Sequence, residues 1–129
     1  SGYQAAVLGQ LTRRVFTIER VPELAQRAQR LLAEFDLQGV VVKVGDGTLG
    51  YPEMAPYDRI LVTAGGPRVP EALLGQLAEG GMIVMPVGER EIQTLVRVTR
   101  QGSEFHREEL CRCVFVPLVG RQGYGENVL

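Results

Sequence analysis

The sequence predicts an α/β fold in which βα units surround a mainly parallel sheet with an antiparallel edge. Short runs rich in β-branched residues alternate with segments whose apolar residues recur at helical spacing. Glycines and prolines separate many of these segments. The last two strand-like segments have no helix-length segment between them, which favours antiparallel pairing.

The chain opens with a predicted helix over residues 3–11, directly after Ser1-Gly2. A short strand follows over residues 15–18 and ends at Glu19. These elements form the first αβ step of the fold.

A second αβ step follows. Pro22 suits a first helical turn, and apolar residues from Leu24 to Phe35 recur at three- and four-residue spacing, which predicts an amphipathic helix. Gly39 closes this helix. Residues 40–44 are almost wholly apolar, which predicts a strand covered on both faces.

The rest of the chain contains more predicted strands and one helix. The helix covers residues 70–77 and is ended by Gly80-Gly81. The strands cover residues 57–63, 82–86, 93–100 and 111–118. No repeat, low-complexity tract or linker interrupts this order, so we expect one domain over residues 1–129.

Composition limits the function classes. With 45% hydrophobic and 22% charged residues, the 129-residue chain is globular in character. A formal net charge of −1 provides no positive field for nucleic acid or anionic lipid. No apolar run approaches the roughly 20 residues that span a bilayer, and no export signal is recognisable, so we expect a cytoplasmic protein.

Cys111 and Cys113 are the only cysteines. Alternate residues of a strand share a face, so we expect both thiols to face the core together with Phe115. A metal site needs further ligands, and the single histidine, His106, has no partner at a suitable spacing. We therefore expect no metal.

Ligands of open α/β sheets bind at the carboxyl ends of the strands, where Glu19, Asp46 and Thr63 are candidates. Glu19 follows Gly2 at close to the spacing of roughly 20 residues at which an acid reaches a ribose hydroxyl. A solvated charge at a helix start explains Glu19 equally well.

Gly45-Asp46-Gly47 places an acid between two residues with wide backbone freedom. Asp46 could accept from the exocyclic amine of adenine, although a tight turn explains the segment nearly as well. Thr63 and the small residues up to Pro67 offer a hydroxyl and backbone groups where a cofactor and a second substrate could meet, and loop geometry explains those small residues equally well.

The same sequence disfavours a hydrolase or kinase function. We find no Ser/His/Asp set around the single histidine, and no Gly-x-x-x-x-Gly-Lys segment is present to hold phosphates.

Several segments occur in one order along nearly the whole chain: Ser1-Gly2-Tyr3-Gln4-Ala5-Ala6, Ile18-Glu19-Arg20, Gly45-Asp46-Gly47, Gly50-Tyr51-Pro52, Ala55-Pro56-Tyr57-Asp58-Arg59-Ile60, Gly80-Gly81, Pro86-Val87-Gly88, Gln93 and Phe115-Val116-Pro117-Leu118. Together they resemble the protein-L-isoaspartate O-methyltransferases. The chain departs from many members at Val119, where threonine is common after Val-Pro-Leu.

The resemblance implies a class I methyltransferase fold, a Rossmann-like and mainly parallel sheet with helices on both faces. It implies S-adenosylmethionine as cofactor and S-adenosylhomocysteine as product. Ser1 and Gly2 match the back half of the family's glycine loop. Glu19 would bind the ribose, and Asp46 and Gly47 would lie near the adenine. From their positions at strand ends we add Gly45 and Thr63 to the predicted cofactor site.

The substrates that the resemblance implies are isoaspartyl-containing peptides and proteins, whose methylation starts their repair. We expect a peptide groove along Ala64, Gly65, Gly66, Pro67, Val87 and Gly88. The family's first strand and a hydroxyl-bearing catalytic segment lie upstream of the matched region, so the catalytic residues are unknown. We expect the chain to be a fragment of a longer protein, which an intact mass would test.

Three alternatives stay open on the sequence. The first keeps the cofactor but methylates a small molecule or RNA. In the second, Glu19 binds the ribose of NAD in a dehydrogenase. In the third, the chain is an inactive fragment.

Overall fold

A computed structural model describes residues 1–125. The chain divides into two compact units, Ser1–Gly47 (unit 1) and Thr48–Leu129 (unit 2). The expectation of one domain over residues 1–129 stays a prediction.

Unit 1 contains two helices and two strands in alternation. In chain order they are α1 (Tyr3–Leu11), β1 (Val15–Glu19), α2 (Pro22–Glu34) and β2 (Val40–Val44). The two strands pair in parallel, from Val15 opposite Val40 to Glu19 opposite Val44. All four elements confirm the sequence prediction.

The amphipathic pattern of α2 determines its packing. Pro22 occupies the first turn, where its missing N–H costs no hydrogen bond. Ala25, Ala28 and Leu32 lie three and four residues apart and are at most 6% exposed. They form the apolar stripe by which α2 packs in unit 1.

The prediction that β2 is covered on both faces is wrong for the described chain. Val41 is 42% exposed and Val44 is 47% exposed. Within residues 1–125, β2 has a single neighbouring strand, β1. The strand is therefore apolar in composition but is not fully buried.

Unit 2 is built on a four-stranded sheet in the order β3-β4-β5-β6. Short 3₁₀ turns at Gly47–Leu49 and Pro52–Met54 precede it. β3 pairs in parallel with β4, and β4, β5 and β6 pair in antiparallel fashion. The elements are β3 (Tyr57–Leu61), α3 (Glu71–Leu74), β4 (Leu77–Gly88), β5 (Gln93–Gln101) and β6 (Glu104–Cys113). The antiparallel edge is confirmed, while the described strands form two sheets instead of one.

The core of unit 2 lies along β4 and β5 and the short helix α3. Leu77, Ile83, Met85 and Val96 have no exposed surface. Leu73, Val87 and Val98 complete the buried cluster.

The helix predicted over residues 70–77 is shorter, because strand pairing competes for its last residues. The N–H of Tyr57 donates to the carbonyl of Gln76 at 2.8 Å, and Leu77 already lies in β4. Gly80 and Gly81 therefore lie inside β4, where Gly80 takes a φ of 74° and the pairing register with β3 shifts. β3 itself ends at Leu61 instead of residue 63.

The last strand is also misplaced by the sequence prediction. β6 covers Glu104–Cys113 instead of residues 111–118, because a tight turn at Gly102, with φ 63°, pairs Gln101 with Glu104. β6 is an outer strand, and nearly all of its side chains are exposed on both faces.

The cysteines consequently do not face the core as predicted. Cys111 is exposed, Cys113 is half-buried, and Phe115 lies beyond the strand with 37% of its surface exposed. Side chains on both faces of β6 are exposed, so the face that the two thiols share is not covered.

Candidate functional site

The carboxyl ends of β1 and β2 bring two predicted site segments together in unit 1. Glu19 is paired with Val44, and the N–H of Gly45 donates to the carbonyl of Glu19 at 3.1 Å. Glu19 and Asp46 therefore lie at one edge of the sheet, both half-buried. Parallel pairing produces this because it aligns the ends at which both strands leave the sheet.

The side chain of Glu19 is fixed by the start of α2. Its Oε1 accepts from the N–H of Val21, the N-cap residue of α2, at 3.0 Å. Among residues 1–125, no hydrogen-bond donor is assigned to Oε2. Glu19 can therefore bind the start of α2 through Oε1 and still offer Oε2 to a ribose hydroxyl.

The loop around Asp46 leaves room for a flat ligand. A Cβ atom added to Gly47 would meet nothing within 4 Å, and one added to Gly45 would meet only the Cε atom of Lys43, at 4.0 Å. A ring can approach this backbone closely because neither glycine carries a side chain.

Ser1 and Gly2 form the entry to α1. Gly2 is the N-cap residue with φ 81°, and a Cβ there would lie 3.2 Å from that of Ala28. Ser1 Oγ accepts from the N–H of Tyr3 at 3.4 Å. The first turn of α1 has no acidic residue, so its N–H groups present the positive end of the helix dipole.

In unit 2, the loop after β3 runs between the end of β4 and the segment 116–118. Gly65 donates to the carbonyl of Val116 at 2.7 Å and accepts from the N–H of Leu118 at 2.8 Å. Gly66 donates to Pro86 at 3.1 Å and accepts from Gly88 at 3.0 Å. The structure thus brings the predicted substrate segments 64–67 and 87–88 together.

The residues of this loop differ in what they can offer a ligand. Gly65 and Gly66 are buried and their N–H groups are engaged inside unit 2. Val87 is 8% exposed and belongs to the core cluster. Thr63 and Pro67 are exposed, so their side chains are the accessible part of the predicted substrate and cofactor segments.

Gln93, the first residue of β5, is one of the family-like positions of the sequence, but the sequence alone does not predict a role for it. It is 3% exposed, its Nε2 donates to the carbonyls of Glu89 and Arg90 at 2.6 and 3.0 Å, and its Oε1 accepts from the N–H of Phe115 at 2.7 Å. A polar residue directly after the Gly88 turn, at the start of an alternating strand, was the available signal.

Tyr124 was missed altogether, because it follows the last predicted strand. Its hydroxyl donates to the carbonyl of Gly88 at 2.7 Å, and the guanidinium of Arg90 lies 5.8 Å from its ring centre. Tyr124 therefore contacts the turn between β4 and β5 at Gly88 and Arg90.

Across residues 1–125, no group of three or more His, Cys, Asp or Glu side chains is arranged to hold a metal ion. The helices of this part of the chain are too short or too polar for any to cross a bilayer.

The chain was compared with known proteins. The family model described as protein-L-isoaspartate(D-aspartate) O-methyltransferase matches residues 1–123. A curated relative from Syntrophotalea carbinolica, named protein-L-isoaspartate O-methyltransferase, is 53% identical over 128 residues, which cover 98% of this chain and 59% of that protein. The chain thus spans about three-fifths of the length of that relative.

Solved structures agree on the fold. A protein-L-isoaspartate O-methyltransferase structure superposes with a TM-score of 0.78 at 28% identity, over 85% of this chain and 35% of that one. A Plasmodium falciparum chain described by the same activity and solved with S-adenosyl-L-homocysteine gives a TM-score of 0.71 at 23% identity, over 82% and 52% of the two chains. The latter likeness concerns the fold alone.

These comparisons confirm the class I methyltransferase fold that the motifs predict. The family match extends over both units and includes Glu19, Asp46 and the loop after β3. The chain belongs to the protein-L-isoaspartate O-methyltransferase family.

Proposed function

We propose that the protein containing this chain transfers a methyl group from S-adenosylmethionine to the free carboxylate of L-isoaspartyl residues in damaged proteins. The transfer starts the repair of those residues. Family membership supports the reaction, and a chain of the same fold binds S-adenosyl-L-homocysteine. Isoaspartyl-containing peptides and proteins are the proposed partners.

The observation that carries the proposal is the pairing of Glu19 with the Asp46 loop at one sheet edge. A carboxylate oxygen suits the vicinal hydroxyls of a ribose, because an ionised acceptor strengthens a hydrogen bond. The open backbone at Gly45 and Gly47 suits the adenine ring beside Asp46. These residues fit an adenosine, with Ser1 and Gly2 at the start of α1 as further contacts of the cofactor.

Methyl transfer to the acceptor carboxylate depends more on alignment of the two substrates than on acid–base catalysis. When bound, S-adenosylmethionine supplies an electrophilic methyl group. The acceptor carboxylate is already ionised at neutral pH, so no strong general base is required. We propose that the segments 64–67 and 87–88 orient the peptide and that Thr63 contacts the cofactor. Orientation alone supplies a large part of a rate enhancement.

Two further properties fit this function. The net charge of −1 favours a protein substrate over RNA, because phosphate binding depends on basic groups. Cys111 and Cys113 are both free thiols, which fits the reducing environment of the cytoplasm that we propose as its location.

The direct test is methyl transfer from labelled cofactor by the complete protein. Two peptides of one sequence, with isoaspartyl or ordinary aspartyl at one position, serve as substrate and matched control. We expect kcat/KM to be higher by about a hundredfold or more for the isoaspartyl peptide, because only there does the extra methylene lie in the main chain and the free carboxylate sit directly on the α-carbon. Equal labelling of both peptides, or transfer to RNA or a small molecule alone, would refute the proposal.

A further inference from the structure

Gln93 contacts both segments proposed to bind the peptide, and its buried amide forms hydrogen bonds with residues beside them. Its two donated hydrogen bonds reach the carbonyls of Glu89 and Arg90, directly after β4. Its accepted hydrogen bond comes from the N–H of Phe115, 22 residues away. One side chain therefore links the turn after β4 to the segment that follows β6.

Gln93 also sets the position of the loop after β3. A Cβ atom on Gly65 would lie 2.8 Å from Cδ of Gln93, so the loop backbone packs directly on this amide. On the other side, a Cβ on Gly88 would lie 3.0 Å from the Cα of Gln93. Gly65 and Gly88 belong to the two segments proposed for the peptide, and Gln93 lies against both.

We propose that Gln93 is a positioning residue for peptide binding: its amide holds the turn at Glu89 and Arg90 and the chain at Phe115, and through them the segments 87–88 and 64–67, in the arrangement that the substrate requires. This inference rests on the proposed function. The backbone groups that the amide pairs lie outside the regular strand ladder, and each would lose this partner if the amide were removed. A buried polar group also fixes one arrangement where apolar packing tolerates several.

Two substitutions of matched length separate positioning from filling of space. Gln93→Met preserves volume and removes every hydrogen bond of the amide. Gln93→Glu keeps an acceptor for Phe115, but its ionised form cannot donate to Glu89 or Arg90. When protonated, the glutamic acid regains one donor, and burial beside carbonyl oxygens favours that neutral form.

The experiment measures KM and kcat of the complete protein for an isoaspartyl peptide at two pH values. At about pH 8 we expect both variants to raise KM about tenfold, because misplaced loops weaken peptide binding, while kcat changes less. At about pH 5.5 we expect Gln93→Glu to recover most of the wild-type KM and Gln93→Met to recover none. Titration with S-adenosylhomocysteine should give affinities within about twofold of wild type in both.

Arg100→Met is the matched control on the same strand. The guanidinium of Arg100 donates to the carbonyls of Leu77 and Gly102, at the opposite end of β5 from Gln93. Its loss should lower stability without changing the KM for the peptide. Tyr124→Phe is a second test variant that removes only the hydrogen bond to Gly88, so it should raise KM in the same direction even if the Gln93 variants fail to fold.

The outcomes are separable. A wild-type protein that methylates no isoaspartyl peptide refutes the proposed function, and this inference with it. An active wild type with unchanged KM in Tyr124→Phe and in the folded Gln93 variants overturns the inference alone. Equal recovery of Gln93→Glu and Gln93→Met at low pH, or an equal rise of KM in Arg100→Met, would also overturn it.

Discussion

Cys111 and Cys113 share one face of β6 but differ in their surroundings. Cys111 is exposed, whereas partial burial and, to a lesser extent, the neighbouring Cys111 raise the pKa of Cys113. Since the thiolate is the reactive form, a thiol reagent at about pH 8 should modify Cys111 before Cys113. Peptide mapping by mass spectrometry follows both sites in one sample, and equal rates would contradict this description of β6.

Tyr57 makes the stability of the protein depend on pH in the alkaline range. Burial, and then the charges of Tyr51 and Glu53, raise the pKa of Tyr57 above its usual value of 10.0, and its hydroxyl donates to the carbonyl of Tyr51. A pKa that is higher in the folded state stabilises the fold fully below about pH 10, and this contribution is lost as pH rises through the folded-state value.

The corresponding test compares wild type with Tyr57→Phe in urea unfolding between about pH 9 and about pH 11. The variant should be less stable at the lower pH, because it lacks the hydrogen bond to Tyr51. Its free energy of unfolding should then fall less steeply as pH rises. Identical slopes for the two proteins would show that Tyr57 titrates alike in the folded and unfolded states.

At the scale of the element, α2 provides two adjacent leucines with different environments. Leu32 is 5% exposed and Leu31 is 39% exposed. We expect Leu32→Ala to lower the free energy of unfolding by about 2–4 kcal/mol through the cavity it leaves. Leu31→Ala should lower it by only about 1 kcal/mol, since the Leu31 side chain buries less apolar surface than that of Leu32. Equal losses in chemical denaturation would mean that α2 packs by a different face.

The sequence predicted the elements of unit 1 closely because each depends on a local pattern. Pro22 and the apolar stripe ending near Leu32 define α2, and the β-branched run at residues 40–44 defines β2. The exposure of β2 was not predictable, because apolar composition does not show how many strands lie beside it.

Unit 2 was harder because tertiary pairing overrides local pattern there. Leu77 fits a helix by its spacing, yet it pairs with Tyr57 in the sheet. The polar segment from Glu104 to Leu110 lacks the alternation of a half-buried strand, because β6 is exposed on both faces. The apolar residues 114–118, which look like a strand, follow its end.

At the scale of the whole molecule, one part of the candidate site could be predicted from the sequence and another part could not. Glu19 and Asp46 could be predicted, because each ends a strand and parallel strand ends meet at one edge. Gln93 and Tyr124 have partners as far as 36 residues away, so the local pattern does not show which groups they bind. Chain order locates the cofactor candidates, whereas only the structure shows what holds the loops of unit 2.

The proposed contact between Glu19 and the ribose of S-adenosylmethionine is tested by substitution. Glu19→Gln keeps an oxygen for the N–H of Val21 and removes the charge, so the fold should be preserved. Glu23→Gln, in the exposed first turn of α2, is the matched control.

The measurement is calorimetric titration of the complete protein with S-adenosylhomocysteine. The predicted result is one site per protein, weakened by about ten- to a hundredfold in Glu19→Gln, as the loss of a charge-assisted hydrogen bond requires, and unchanged in Glu23→Gln. Equal affinities in wild type and Glu19→Gln, or binding of NADH in place of S-adenosylhomocysteine, would contradict the account.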